Sequence, residues 1–294
     1  SLEIDGCKLE DTQQEKPNSI EYIIDKFENH PSIMKIRTIC NSNNTFSFNM
    51  STDRDIAEEI SRLKTNKPTT ENTIPAKILA ENIDTCAPVI SKIYNKALAD
   101  CIFPPELKCA DMTPGYKKDD KTCKENYRPI SILPSVSKIF ESRMTADIDN
   151  HMKDFMSPYL CGFRKGYSTQ YCLLAMLEKM KKSLDKGHHA AAILTDLSKA
   201  FDSINHDLLI AKLAAYGFSH SSLTYMQSYL INRKQRTKVN NSYSSWAVPD
   251  SGFPQGSILG PTVFNVYLHD MFLELEGANL ASYADDYISH ATGE

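Results

Sequence analysis

The sequence predicts an α+β fold, in which helices and antiparallel hairpins follow one another along a chain of 294 residues. Apolar residues recur at helical spacing in several segments, which indicates amphipathic helices. Pairs of short extended runs joined by turn-forming residues predict hairpins. A short apolar run from Ala190 to Leu194 is typical of a buried strand, and Asp196 stands at its C-terminal end.

Two helices are predicted in the N-terminal part. Residues 1–50 are polar and weakly periodic, so we expect an N-terminal extension that contains at most a short strand at Phe46 and Phe48. The first helix should begin at Thr52, whose hydroxyl can cap it. The second should follow Pro88, because proline suits the first helical position. Its apolar face is predicted to comprise Val89, Ile90, Ile93, Tyr94, Ala97 and Leu98.

The central part combines one hairpin with two helices. Residues 109–133 read as two extended runs around a basic stretch, which predicts a long hairpin with a charged tip. A helix should run from Ser135 to about residue 153. Another should run from Ser168 to Lys186, where Gly187 ends it.

The C-terminal part follows the predicted strand at 190–194. Two helices are expected over residues 205–216 and 221–232, and a hairpin over 233–249. The segment from Ile258 to about Leu275 predicts one long apolar helix. The last element should be two short strands around a tight turn at Ala284 and Asp285.

Charge is unevenly distributed. From Gly115 to Lys238 there are 20 Lys and Arg against 12 Asp and Glu, whereas from Val239 to Glu294 there are seven acids and no base. A polyanion track that leads to bound cations would have this pattern, and so would solvated helix faces. The sequence has neither a long apolar span nor a secretory signal. The eight cysteines lack C-x-x-C spacing, which disfavours a zinc ribbon. Because no secretory signal is found, we expect reduced thiols and an intracellular location, and because no long apolar span is found we expect no membrane partner.

Three aspartates carry the strongest chemical signal. Asp285 and Asp286 are adjacent at a predicted turn, where exposed carboxylates can bind a hard divalent cation. Alone, such a pair is usually a solvated hairpin tip, and Asp196 alone is usually a cap. If the two strands are neighbours in one sheet, the carboxylates converge and a two-metal site becomes feasible.

Five segments stand in an order that resembles the motifs of reverse transcriptases, in particular those of non-LTR (LINE-like) retrotransposons. They are NYRPISILP, YLCGFRKGYST, TDLSKAFDSINH, GFPQGSILGP and YADD. The resemblance covers roughly residues 50 to 290. It implies a right-hand polymerase fold with fingers and palm. It also implies nucleotidyl transfer of dNTPs onto a DNA primer that is paired with an RNA template.

Site residues follow from this resemblance. Asp196 and Asp285 match the positions that hold both catalytic metals, Mg²⁺ or Mn²⁺, and Asp286 matches a lesser ligand. Phe201 matches the steric gate against a ribose 2′-OH, and a plain core Phe is the alternative. Gln255 and Gly256 match the loop that lines the nascent base pair, and a simple turn is the alternative. Arg128 matches the arginine that reaches the incoming triphosphate, with Lys117 or Lys118 as a second cation, and solvated loop charges are the alternative for the lysines. Arg164 and Lys165 resemble a loop that contacts the template.

The resemblance also suggests domain limits. We expect a fingers-like region at 51–189 and a palm-like region at 190–294, after the polar extension at 1–50. Only eight residues follow Asp286, so the family's primer grip, helical thumb and upstream endonuclease are expected elsewhere in a parent element. The isolated chain is therefore expected to extend primers weakly. A catalytically inactive retroelement remnant that binds nucleic acid, or another palm polymerase that uses rNTPs, are the competing hypotheses.

Overall fold

The computed structural model describes residues 18–40, 45–197, 200–240, 242–274 and 279–293. The α-helices in these ranges are α1 (Ile20–Lys26), α2 (Pro31–Ile39), α3 (Asp53–Arg62), α4 (Ala76–Glu81), α5 (Ile83–Ala99), α6 (Ser135–Met152), α7 (Thr169–Leu184), α8 (His206–Ala215), α9 (His220–Leu230), α10 (Leu259–Leu268) and α11 (Met271–Glu274). The strands are β1 (Cys109–Tyr116), β2 (Tyr127–Ile132), β3 (His189–Asp196), β4 (Lys234–Val239), β5 (Ser242–Tyr243), β6 (Asn279–Tyr283) and β7 (Asp286–Gly293).

The larger sheet contains the predicted central hairpin. Its strand order is β2-β1-β4-β5. β1 and β2 are antiparallel, with Tyr116 opposite Tyr127, so the hairpin with a charged tip is confirmed. β4 pairs in parallel with β1, and β5 turns back on β4. The sheet thus joins two parts of the chain that lie about 120 residues apart.

The smaller sheet has the order β3-β7-β6, and both of its pairings are antiparallel. The C-terminal hairpin is confirmed as β6 and β7. β7 continues to Gly293 as a full strand that pairs with β3 along its length. A two-strand hairpin is only marginally stable by itself, and β3 supplies the third strand.

The helices bury one continuous core around aromatic side chains. The ring of Phe103 contacts Phe140 of α6 and Tyr225 and Tyr229 of α9, at centroid distances of 5.9, 5.9 and 5.0 Å. Each fully buried aromatic ring contributes about 1.5–3 kcal/mol relative to its exposed state. No helix within the described ranges is long and apolar enough to cross a bilayer.

Local sequence signals placed most helices correctly. Thr52 caps α3 in a full capping box with Asp55, because each side chain accepts a backbone N–H of the other. Ser168 caps α7, and Gly187 follows it with φ of 79°. The predicted strand at Phe46 is a single bridge to Phe218.

Two helices in the supposed polar extension were not predicted. α1 and α2 bury Ile20, Ile23, Ile33 and Ile36 against the same core as the rest of the chain, largely through α8. Helices this short give weak periodicity, which explains why the pattern was missed. Residues 1–17 of the predicted extension lie outside the described residues.

The predicted start of the second helix was wrong, and its predicted apolar face was confirmed only in part. α5 begins at Ile83 and contains Pro88 in its interior, so one helical hydrogen bond is missing there. Val89 and Ile93 are exposed, whereas Ile90 and Tyr94 are buried. The predicted face was too wide, and only its Ile90 side meets the core.

The strand at 190–194 was predicted to be buried, and this was wrong. Ile193 and Leu194 are 68% and 75% exposed. β3 is the edge strand of its sheet, and its main contacts are with β7 and α7. An apolar run therefore indicated the strand correctly but not its environment.

The predicted long helix from Ile258 is divided into α10 and α11. The break falls at His269 and Asp270, whose side chains are buried and fixed by other elements. Asp270 pairs with Lys212 at 2.6 Å. His269 accepts the N–H of Ser157 at Nε2. Leu275, the predicted end, lies outside the described ranges.

His269 should make the stability of the fold depend on pH. Burial is the main cause that lowers its pKa to about 4 from 6.5, although Asp270 opposes the shift. Because the folded pKa is depressed, the unfolded chain binds more protons between pH 6.5 and 4, and stability falls as the pH falls through this window. From pH 7 to pH 5 this residue should remove about 2 kcal/mol.

The measurement is urea unfolding at both pH values for the wild type and for His269→Gln. The variant should lose about 2 kcal/mol less than the wild type does on acidification. Equal losses in the two proteins would show that His269 does not titrate as inferred.

Candidate active site

The three predicted aspartates lie where β3 and β6 end and β7 begins. Asp196 is the last residue of β3, and Asp286 is the first residue of β7. The two are direct partners in the antiparallel register. Directly opposed residues have Cβ atoms about 4.5–5.5 Å apart. The condition set by the sequence, that the two strands be neighbours, is therefore met.

Asp285 lies in the two-residue turn between β6 and β7. Tyr283 and Asp286 close this turn as a cross-strand pair, and Ala284 adopts φ of 59°. A left-handed conformation costs a residue other than glycine about 1–3 kcal/mol and persists where its surroundings hold it. The N–H of Leu197 reaches the carbonyl of Asp285 at 3.4 Å, which joins the turn to the end of β3.

All three aspartates are exposed. Within the described part of the chain, no three His, Cys, Asp or Glu side chains form a group that could hold a metal ion. The strand register therefore brings the three aspartates to the same end of the sheet. Their side chains do not form a three-ligand cluster in the described part of the chain. Exposed carboxylates can rotate toward a cation without leaving a hydrogen bond of the core.

The loop that precedes α7 packs against the turn between β6 and β7. Gly162 packs so closely that a Cβ built on it would lie 2.1 Å from the nitrogen of Ala284. No side chain fits between Gly162 and Ala284, so the backbone at Gly162 limits where the β6–β7 turn can lie. The carbonyl of Gly162 accepts a hydrogen bond from Nδ2 of Asn265 at 2.8 Å, and this contact ties the loop to α10.

The same loop runs alongside β6. Ser282 donates its N–H to the carbonyl of Tyr159 and accepts the N–H of Cys161, both at 2.9 Å. Cys161 and Cys172 are buried beneath this segment with Ala281. Burial raises the pKa of the Cys161 thiol to about 12, so this thiol stays protonated at neutral pH.

Tyr287 follows the aspartates on β7 with its side chain buried. Burial is the main cause that raises the pKa of its hydroxyl, and the nearby Asp285 carboxylate adds to the shift. The hydroxyl therefore remains neutral and adds no negative charge behind the turn.

Phe201 lies between two aromatic rings and a loop. It stacks on Phe264 of α10 at 4.4 Å and meets the edge of Phe163 at 5.8 Å. Its carbonyl accepts the N–H of Phe253 at 3.2 Å. Its side chain is half-buried, so one part of the ring packs in the core and another part remains accessible.

Gln255 and Gly256 lie against β2. The carbonyl of Gln255 accepts the N–H of Ser131 at 2.7 Å. Gly256 has φ of 120°, and a Cβ built on it would lie 2.7 Å from the carbonyl oxygen of Ser131. Only glycine allows both this conformation and this approach.

The predicted triphosphate residues lie on the central hairpin. Arg128 is on β2, three residues before Ser131, and it is exposed. Lys117 and Lys118 follow β1 at the exposed tip, where the N–H of Lys117 donates to the carbonyl of Asn126. Lys118 pairs with Asp119 at 3.9 Å on the surface, a contact that contributes little.

Arg164 and Lys165 differ in their surroundings. Nη1 of Arg164 donates to the carbonyls of Ser157 and Leu160 at 2.6 and 3.0 Å. Its guanidinium also stacks over Tyr167. Arg164 thus stabilises the loop that carries Gly162, whereas Lys165 is exposed.

A continuous series of contacts joins these predicted residues. It runs from the Asp285 turn to Gly162, from the adjacent Phe163 to Phe201, and then through Phe253 and Gln255 to β2. Sequence reasoning did not single out Gly162, Phe163 or Asn265. A glycine beside an aromatic residue in a loop carries no reactive group, so only the packing shows its contact with the turn.

Comparison with known proteins identifies relatives of this chain. The family model described as reverse transcriptase (RNA-dependent DNA polymerase) matches residues 116–294. The chain is 31% identical over 246 residues to the probable RNA-directed DNA polymerase from transposon BS of Drosophila melanogaster, which covers 79% of this chain and 27% of that protein. It is 27% identical over 245 residues to the RNA-directed DNA polymerase from mobile element jockey of Drosophila funebris, with 79% and 26% covered. The chain thus spans about a quarter of the length of these curated relatives.

Proposed function

The chain belongs to the reverse transcriptase (RNA-dependent DNA polymerase) family, and from this premise we propose that it carries the site that adds dNTPs to a DNA primer on an RNA template. The resemblance to reverse transcriptases of non-LTR elements, predicted from five motifs, is confirmed by this family match and by the named relatives. Template, primer and dNTPs are the proposed partners.

The register of β3 and β7 is the observation that carries the proposal. It places Asp196 opposite Asp286, with Asp285 in the adjoining turn. Phosphoryl transfer requires little covalent chemistry from a protein and depends on positioned negative ligands for metal ions. Three exposed carboxylates at the ends of neighbouring strands fit that requirement.

The donor set also fits the metal that the family implies. Carboxylate oxygens are hard ligands of the kind Mg²⁺ and Mn²⁺ take. We assign Asp196 and Asp285 as ligands of two metals and Asp286 as a lesser ligand. Divalent cations bound there supply charge stabilisation to the attacking and leaving oxygens.

Residues of the β1–β2 hairpin and of the Gln255–Gly256 loop are proposed to hold the incoming dNTP. Arg128, with Lys117 or Lys118, provides cations for the triphosphate, and Arg128 can do so with a planar fork of donors. The backbone at Gly256 can approach the nucleotide closely, and the Gln255 amide can hydrogen-bond to it. The loop–β2 contact at Ser131 supports a shared pocket, because it joins the segments that carry Arg128 and Gln255.

We further propose that residues 51–189 form the fingers-like region and 190–294 the palm-like region. The β1–β2 hairpin supports the first and the β3-β7-β6 sheet supports the second. β4 and β5, from the palm-like region, extend the sheet of the fingers-like hairpin. Lys165 is the proposed template contact, and Arg164 is proposed to act mainly by holding its loop.

Primer extension on an RNA template tests the proposed function. The chain, supplied with an annealed DNA primer, Mg²⁺ and dNTPs, should add nucleotides in a template-dependent manner. Binding of primer–template without any incorporation would instead support the inactive-remnant hypothesis. Efficient use of rNTPs in place of dNTPs would support another palm polymerase.

Replacing Phe201 with Ala should relax sugar selection. The ratio of kcat/KM for rNTPs to that for dNTPs is expected to rise about 10- to 100-fold, because removing a wall that excludes one hydroxyl is worth about 1–3 kcal/mol. Phe163→Ala is the matched control, since Phe163 contacts the ring of Phe201 at 5.8 Å without a proposed gate role. An unchanged ratio in Phe201→Ala, or an equal rise in both variants, would remove the gate assignment.

A further inference from the structure

Glu141 of α6 is a wholly buried carboxylate with hydrogen-bond donors from two distant segments. Its side chain is 0% exposed. Oε1 accepts the hydroxyl of Tyr229 on α9 at 2.9 Å. Oε2 accepts the hydroxyl of Ser257 at 3.1 Å and the N–H of Ile258 at 2.8 Å. A buried carboxylate is costly unless such donors satisfy it.

Two of these donors belong to the segment that leads into α10. Ile258 is the N-cap residue of α10, and its own side chain makes no capping bond. Glu141, 117 residues away in sequence, therefore accepts the helix N-terminal N–H. A negative charge at a helix N-terminus is favourable. The hydroxyl of Ser257 also accepts the N–H of Gly260 at 3.0 Å, which extends the network into the first turn.

The other side of this segment is held by β2. Gln255 and Gly256 are fixed against Ser131 by a 2.7 Å hydrogen bond and by close backbone packing. β2 thus fixes Gln255 and Gly256, and Glu141 fixes the next two residues, Ser257 and Ile258. Movement at Glu141 would be transmitted through Ser257 to Gly256, its direct neighbour.

We propose that Glu141 is a positioning residue that sets the place of the Gln255–Gly256 loop and so the affinity for the incoming dNTP. This inference rests on the proposed function, because it takes the loop as part of the dNTP pocket. Glu141 is too deeply buried to touch a nucleotide itself. Its influence should therefore fall on the KM for dNTPs and leave the binding of primer–template unchanged.

Steady-state incorporation with two substitutions at Glu141 tests the proposal. Glu141→Ala should raise the KM for dNTPs about 10-fold, with kcat changed less than about threefold and the KM for primer–template unchanged. Glu141→Gln should restore most of the affinity. Its Oε1 can still accept from Ile258, while its NH₂ donates to the hydroxyl of Tyr229.

Met144→Ala is the matched control, since Met144 lies one turn further along α6 and is also 0% exposed. It should destabilise the fold by leaving a cavity, yet leave the KM for dNTPs unchanged. Should Glu141→Ala not fold, Ser257→Ala removes one loop donor and should raise the same KM by a smaller factor.

The outcomes separate this inference from the proposed function. If the wild type incorporates dNTPs and neither Glu141→Ala nor Ser257→Ala raises the KM, the inference fails alone. It also fails if Met144→Ala raises the KM as much as Glu141→Ala does, because Glu141 would then be merely structural. A wild type that incorporates no dNTP overturns the proposed function, and this inference with it.

Discussion

Asp196→Asn is expected to reduce dNTP incorporation by about 10³-fold or more, which corresponds to about 4 kcal/mol of lost transition-state stabilisation. The substitution preserves shape and removes the charge that the proposed metal ions need. Asp196 is exposed at the end of β3, so folding should be nearly unaffected. Single-turnover incorporation on a primed RNA template, together with thermal unfolding, measures both expectations.

The remaining aspartates and a surface control make this result specific. Asp285→Asn should be as severe as Asp196→Asn, whereas Asp286→Asn should be milder, in keeping with a lesser ligand. Asp154→Asn changes an exposed aspartate elsewhere and should leave incorporation unchanged. Retention of more than about a tenth of the activity by Asp196→Asn would be incompatible with a metal-ligand role.

Gly162→Ala should lower incorporation by about 100-fold without touching any reacting group. The new Cβ would stand 2.1 Å from the nitrogen of Ala284, far inside contact distance, and the obstacle is backbone. The turn that carries Asp285 must therefore move, and a shift of about 1 Å at reacting groups costs on the order of 10²-fold in rate. Overpacking should also destabilise the fold by about 1–3 kcal/mol.

Gly166→Ala provides the control within the same loop. Gly166 has φ of 86° and open space around it, so alanine there costs stability through backbone strain alone, about 1 kcal/mol. Incorporation should change less than threefold in this variant. Similar losses of activity in both variants would mean that loop strain, and not the contact with Ala284, controls the turn.

The sequence predicted where the aspartates lie in the fold, whereas their proposed role as metal ligands came from the resemblance to reverse transcriptases. A strand that ends at Asp196 and a turn at Asp285 can both be read from local patterns. Only their adjacency in one sheet remained a condition, and the Asp196–Asp286 register meets it. The β1–β2 hairpin followed for the same reason, because its turn and strands are contiguous in the chain.

Predictions failed where the environment of a residue depended on distant segments. The exposure of Ile193 and Leu194 on opposite faces shows that neither face of β3 is well covered, although β7 and α7 contact this strand, and no local pattern reveals this. The division of the last long helix follows from Lys212 and Ser157, which fix Asp270 and His269 from elsewhere in the chain. In the first case the apolar run indicated the strand but not its exposure, and in the second the helical pattern was overridden by tertiary contacts.

The supporting residues of the site were missed for a related reason. Glu141 does carry a signal, since it lies on the buried face of α6 between Ser137 and Met144. A charged residue at such a position is expected to have partners, but the sequence does not say that they are Tyr229 and Ser257. Gly162 carries no such signal, because what matters at this position is the absence of a side chain, which allows the close contact with Ala284.

The pairing of β3 with β7 also has a consequence for how the chain assembles. Asp196 finds its partner about 90 residues later, so this sheet depends on a long-range contact, and contacts of this kind form slowly. Until the ribosome has synthesised β7, the backbone of β3 is unpaired, and Ile193 and Leu194 are exposed beside it. Self-association of nascent or refolding chains should therefore begin at this strand, and any condition that hastens the β6–β7 hairpin should raise the folding yield.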